Sequence, residues 1–253
     1  MRLLTNFFKP LVSPLVSLGI VMVLWWVGSL FFDPFVLPSP METLGQAHLL
    51  CTPEFFEHLS FTLGRVMTGF ILSFALGTLV GIIAHMLKIT AWVEALMMML
   101  QVLPGLIVGV IFLLMVGVGS VAPVLLVVTM TTPLIAMNTA AALAKADPLM
   151  EGVIRSFNGT RMDVIRDLYI PLLVPAMRAN AGMGTTMAMK VALLGEFIAS
   201  ENGLGFLINV ARIYFNMQEV LFYVVVILLF VLVIQLVISA VFMGFFKKYF
   251  YPG

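Results

Sequence analysis

The sequence is short of charge. Of its 253 residues, 13 are Lys or Arg and 12 are Asp or Glu, 10% in all, against roughly 25% in an ordinary soluble domain. Low charge combined with high hydrophobicity excludes a disordered chain. A net charge of +1 excludes nucleic acid as a main partner, because phosphate backbones are held by a basic surface. A single cysteine, Cys51, excludes an internal disulfide and a Cys-based metal site. His48 and His58 flank it and are read as solvated loop residues rather than ligands, so no metal site is expected. No Gly-Lys dipeptide occurs, so there is no Walker A loop, and no hydrophilic stretch is long enough for a nucleotide-binding domain.

What fills the chain is 62% apolar residues at a mean hydropathy of +1.15. Such a composition describes an integral membrane protein, read as one transmembrane domain over 1–253. A helix crossing a hydrocarbon layer of about 30 Å needs about 20 apolar residues. Six spans are expected, at about 10–32, 66–87, 95–117, 121–144, 172–200 and 220–246, giving an all-α fold. Gly117, Gly119, Ser120 and Pro123 place a tight turn between the third and fourth. The fifth carries Arg178, Lys190 and Glu196 but has a small-residue centre, Ala179 to Ala188, suited to close helix packing. The first apolar run exceeds the roughly 7–15 residues of a signal-peptide core and is read as a permanent anchor.

Basic residues orient the spans. One side would hold Arg2, Lys9, Lys88, Lys145, Arg155, Arg161, Arg166, Lys247 and Lys248; the other holds only Arg65 and Arg212. Both termini are therefore expected in the cytoplasm. The long outer loop, 33–65, starts with Pro34, Pro38 and Pro40, which should keep it extended.

One inner loop is substantial, 145–171. Asp147 is a good N-cap, and Pro148 suits the first helical position. Leu149, Met150, Val153, Ile154 and Phe157 share a helical face. Asn158-Gly159 can end that helix in a left-handed conformation, and Thr160 with Asp163 forms a restart resembling a capping box. Met162, Ile165, Leu168 and Tyr169 line one side of a second helix. Pro171 is expected to mark the turn into the next span. The apolar face must pack on the spans or on another protein, leaving a polar tip of Arg155, Ser156, Asn158, Gly159, Thr160 and Arg161.

The segment from Arg155 to Pro175 resembles the EAA loop of ABC-importer permeases, most closely the nitrate/sulfonate/taurine type, in which a P-x-x-x-P ending like Pro171 and Pro175 follows the loop glycine. Leu37-Pro-Ser-Pro40, the run from His58 to Phe70, and Glu196 followed by Gly203-Leu-Gly205 match further segments in order. Two departures stand out. Asn158 occupies the place of the loop glycine, and Gly152-Val153-Ile154 that of Glu-Ala-Ala, with Glu151 one position early. Asn tolerates positive φ, so the bend can survive.

The resemblance implies a type I ABC-importer (MetI-like) permease with a cytoplasmic coupling helix in the bacterial inner membrane. Glu151, Arg155, Ser156, Asn158, Gly159, Thr160, Arg161 and Pro171 would serve ATPase coupling. ATP and Mg would sit on two separate ATPase subunits, with no cofactor on this chain. A second permease copy would complete the pathway. An extracytoplasmic substrate-binding protein would dock on outer segments including Leu37, Pro38, Gly203 and Gly205.

Charges at membrane depth are functional candidates by default. Arg178 reads as snorkelling at the span's end; Lys190 either snorkels, pairs with Glu196 or faces the substrate pathway, for which Lys190, Glu196, Gln101 and Pro104 are the candidates. Glu196 lies six residues beyond Lys190, on another side of the helix, and needs a partner from a different helix. Gln101 and Gln235 also read as interhelical glue, Pro104 as a kink, and Gly77 with Gly81 as a packing pair. On composition alone a secondary transporter or channel competes, but no matched internal repeat supports it. An embedded hydrolase lacks a nucleophile–base pair at depth, and no catalytic residue is assigned.

Overall fold

In this computed structural model the described residues are 16 and 18–245. Arg2, Lys9, Lys247, Lys248, the start of the first expected span and the end of the last lie outside them. All regular structure among the described residues is helical. The chain divides into two compact units. One runs to Phe56 and includes Leu207–Val226; the other holds Glu57–Phe206 and continues from Ile227.

In the first unit, helix α1 covers Leu18–Ser29. Its Trp25 Nε1 donates to the Pro38 carbonyl at 3.0 Å. The segment after α1 does not stay extended. Asp33 organises a turn, accepting from the Phe35 amide at 2.8 Å. Ser39 and Glu42 form a capping box that starts α2, Pro40–Leu44, and a 3-10 turn follows at Gly45–Cys51. The reason is local: Pro40 forces Ser39 to extend, and an extended Ser before Pro is an N-cap followed by a good first helical residue. Gln46 Nε2 donates to Gln218 Oε1 at 3.0 Å.

The second unit holds the core. Helix α3, Pro53–Met86, is about 51 Å long at 1.5 Å per residue and begins well before the expected residue 66. Arg65 therefore lies inside a helix rather than in a loop. Helix α6, Val121–Leu143, and α9, Ile170–Ala199, pack closely. Small residues set the approach. A Cβ at Gly77 would lie 2.8 Å from Ile135 Cβ, one at Gly81 would lie 2.7 Å from the Ala136 carbonyl oxygen, and one at Gly195 would lie 2.7 Å from Pro123 Cα. In the small centre of α9 a Cβ at Gly184 would lie 3.1 Å from Phe70 Cε2 and 3.3 Å from Ile135 Cδ1, so the packing roles expected of Gly77, Gly81 and that centre hold.

The expected single span at 95–117 is two helices, α4 (Thr90–Val102) and α5 (Gly105–Val116), bent by 84°. Pro104 supplies no amide and holds Leu103 extended; the observed ψ there is 123°. Each half is too short to cross alone. Gly117 then ends α5 at φ 77°, where the turn was expected. After α7 (Pro148–Ser156) and α8 (Arg161–Val164), a π turn at Ile165–Tyr169 runs directly into α9. Pro171 thus does not mark a turn of the chain. It lies inside a helical run continuous from Arg161 to Ala199, just after the wider π turn, in which the Ile170 amide reaches back five residues to Ile165. Helix α10 (Leu204–Ile213) bends from α9 by 50°, and α11 covers Met217–Phe245. Among the described residues three helices are long and apolar enough to cross a membrane, or five with each bent pair counted as one span.

Candidate functional site

Three places gather the polar residues. The first is the α7–α8 pair. Asp147 accepts from the Leu149 amide at 2.8 Å, capping α7. The helix ends as a Schellman motif. Asn158 takes φ 63°, the Asn158 amide donates to Arg155 O, and the Gly159 amide donates to Ile154 O at 3.0 Å. Asn158 supplies the left-handed residue. Gly159 is there for space, since a Cβ on it would lie 2.6 Å from both Ile154 Cγ2 and the Ile154 carbonyl oxygen.

Thr160 and Asp163 then cap each other. The Thr160 amide and hydroxyl both donate to Asp163 Oδ2 at 2.7 Å. These two bonds, hydroxyl first, hold the Asp163 carboxyl below its usual range. Glu151 pairs with Arg155 at 2.7 Å within α7. This exposed i,i+4 pair is worth a few tenths of a kcal/mol, roughly.

The apolar face of α7 is not covered by the chain. Leu149 is 76% exposed and Phe157 84%, and Met150, Val153, Met162 and Ile165 are exposed beside them. Of the two outcomes open to that face, packing on the spans is not the one observed. The pair is nonetheless anchored from behind, where Tyr169 of the π turn meets His85 edge-on at 5.8 Å.

The second place is a groove of about 610 Å³ along one face of α9, lined among others by Arg178, Met183, Thr186, Lys190 and Gln235. Lys190 is exposed within it. Arg178 and Lys190 stand about 18 Å apart along the helix. Gln235 acts as the expected glue, donating to the Gly182 carbonyl at 2.7 Å and to Thr186 Oγ1 at 2.6 Å. Gln101 and Pro104 do not line this groove. They are exposed, and the Gln101 amide meets Met137 Sδ at 3.6 Å.

The third place collects Glu196. It is 0% exposed and faces no open cavity, so it is not gathered with Lys190. As expected, its partner comes from another helix. Arg65 Nη1 donates to Glu196 Oε1 at 2.9 Å. The Thr62 hydroxyl donates to Oε2 at 2.9 Å, and the Gly205 amide also donates there at 3.0 Å. Arg65 reaches further, to Ser120 Oγ at 2.9 Å, the Asn202 carbonyl at 2.7 Å and Asn202 Oδ1. The Leu204 amide donates to Thr62 Oγ1, and the Gly203 amide to His58 Nδ1 at 3.0 Å.

Gly203 adopts φ 106° and has no room for a Cβ, which would meet the Glu196 carboxyl. Gly203 and Gly205 are therefore buried, and Pro38 is buried too. All three have a place in the chain's own packing: the glycines are required by the carboxylate beneath them, and the Pro38 carbonyl accepts from Trp25. Leu37 is half-buried, against Gly28. The sequence reading did not single out Thr62 and Arg65 as partners of Glu196 or His58 as the partner of Gly203, although the i, i+4, i+7 spacing of the three marks one helix face.

Residues 73–249 match the family described as the binding-protein-dependent transport system inner membrane component. The chain is 25% identical over 196 residues to a formylaminopyrimidine transport permease protein, ThiX, of Halalkalibacterium halodurans, covering 77% of this chain and 78% of that one. It is 28% identical over 213 residues to an aliphatic sulfonates transport permease protein, SsuC, of Bacillus subtilis, covering 82% and 75%. It is 22% identical over 204 residues to the taurine transport system permease protein TauC of Escherichia coli, covering 77% and 74%. Among solved structures, an inward-facing MetNI methionine ABC transporter aligns with a TM-score of 0.63 at 18% identity, over 74% of this chain and 94% of that chain.

Proposed function

The chain belongs to the family of binding-protein-dependent transport system inner membrane components, and from that premise we propose how its parts are used. It is a permease subunit of an ABC importer with the type I fold. The competing reading of a transporter or channel working alone is set aside, since the relatives are importer permeases. In the reading proposed, the Asn158–Thr160 turn and the open face of α7 dock on a separate ATPase, two copies of which bind ATP and Mg. Closure of the ATPase pushes on α7–α8, and α9 carries the push because the π turn joins them without a loop. A second copy of this chain completes the pathway, and both termini lie in the cytoplasm. The α9 groove with Lys190 lines that pathway and favours a small anionic solute, handed over by an extracytoplasmic binding protein.

The observation that carries this reading is the α7–α8 pair itself, locally rigid through two caps and a Schellman motif, yet leaving Leu149 and Phe157 uncovered. Floppy loops do not need three terminal devices, and a large uncovered apolar face marks an interaction site. The test is copurification with the ATPase and reconstituted transport. Gly159→Pro and Arg155→Glu should leave the protein in the membrane and lose both. Transport that persists in both variants overturns the docking role.

A further inference from the structure

The buried cluster around Glu196 has a use in the transport cycle that the coupling helix alone cannot supply. Helix α9 runs from the α7–α8 pair to Ala199, where the chain bends into α10. At that elbow every polar atom of Glu196 and nearly every one of Arg65 has a partner. The partners come from α3 (Thr62, Arg65), the start of α6 (Ser120) and the elbow itself (Asn202 to Gly205). The Thr62 hydroxyl is used twice, donating its one proton to Glu196 and accepting from the Leu204 amide. The His58 ring stacks on Phe206 at 5.8 Å. Opening such a joint would strand a carboxylate and a guanidinium that are 0% and 3% exposed.

We infer that Thr62 and Arg65 are positioning residues for transport: with Glu196 they fasten the outer half of α3 to the α9–α10 elbow, and this joint stays closed throughout the cycle. Movement of α9 then carries α3 with it, and an ATPase stroke at the inner end becomes a displacement of two helices at the outer end. The proposal rests on the reading that α7–α8 drives α9.

Two experiments on the full importer in proteoliposomes test it. In a Cys51→Ser background, which removes the sole native thiol, the pair His58→Cys and Phe206→Cys is bridged by a short bifunctional thiol reagent with a cleavable linkage. Transport in the bridged protein should stay within twofold of the unbridged one. A loss of transport that cleavage of the bridge restores would show that the joint opens, and overturns the proposal.

Second, Arg65→Lys keeps the ion pair but drops the fork to Ser120 and Asn202. Transport per ATP hydrolysed should fall at least tenfold while the ATPase still copurifies and hydrolyses at its basal rate. A proportional fall in transport, hydrolysis and protein level would mean a merely structural role and overturn the assignment. Failure of the docking reading is distinguishable, since there the ATPase would be absent from the purified complex.

Discussion

The two ends of α9 solve the same problem by opposite means. At the Ala199 end, the outer one in the proposed orientation, the polar groups are buried and satisfied across the fold, with Glu196 answered by residues at sequence distances of 131 and 134. At the inner end they are exposed and satisfied locally, each within a few residues: Asp147 with Leu149, Glu151 with Arg155, Thr160 with Asp163. The outer end satisfies its polar groups within the chain. The inner end is rigid but incomplete, because its caps finish the backbone and leave the apolar face open. A closed joint and an open surface are built differently, and the difference should appear when each is damaged.

The largest effect is expected from Glu196→Ala. It leaves the Arg65 guanidinium buried without its charge partner, a loss of about 3–5 kcal/mol, read as a drop in the detergent unfolding midpoint and in membrane level. Gly203→Val should act similarly, since its φ of 106° and the carboxylate below admit no side chain. The inner end should behave in the opposite way. Gly159→Pro removes the 6→1 bond to Ile154 and should abolish transport with an unfolding midpoint close to that of the parent. If both ends lose stability equally, the contrast drawn here fails. Next comes Lys190→Ala in the groove. It should raise KM for an anionic solute about tenfold with little change in kcat or protein level. Equal effects on neutral and anionic solutes would remove Lys190 from the pathway.

How much of this was legible in the sequence follows the same division. The inner end was readable almost residue by residue, because caps and helix stops are local rules. Asp147, Pro148, Asn158, Thr160 and Asp163 each do what their chemistry and spacing announced. Pro171 was misplaced because a π turn, which no simple residue pattern marks, let the helix run on. The outer end was readable only as an unpaired charge. That Glu196 needs a partner on another helix follows from the cost of burial, but which helix depends on tertiary packing. Arg65 was hidden by a reasonable rule. Charges delimit spans when they face lipid, and this one is neutralised inside the bundle, so α3 continues through it. The 84° break at Pro104 was foreseen as a kink, but its size reflects a fully extended Leu103 and the close seat of Gly105 against Leu194, and periodicity does not carry that.

The smallest effects should come from the α7–α8 caps, and they sharpen the comparison by their pH behaviour. Asp163 has its carboxyl held below the usual range by the Thr160 hydroxyl and amide. A carboxylate depressed in the folded state contributes its full stabilisation above its unfolded pKa, about 3.9, and loses it only as pH falls through the still lower folded value. The cap is therefore intact across roughly pH 6–8, two units or more above the unfolded pKa. Transport should show no titration from this cap in that range. Asp163→Asn removes the charge but keeps one acceptor, and should lower transport only a few-fold at every pH, with the ATPase still bound. Asn158→Gly should be nearly silent, because glycine takes φ 63° as readily as asparagine, whereas Asn158→Ile should lose transport by straining that same residue. A pH-dependent loss between 6 and 8 in the Asp163 variant alone would mean that the carboxylate meets a titrating partner on the docked ATPase rather than serving only its own helix.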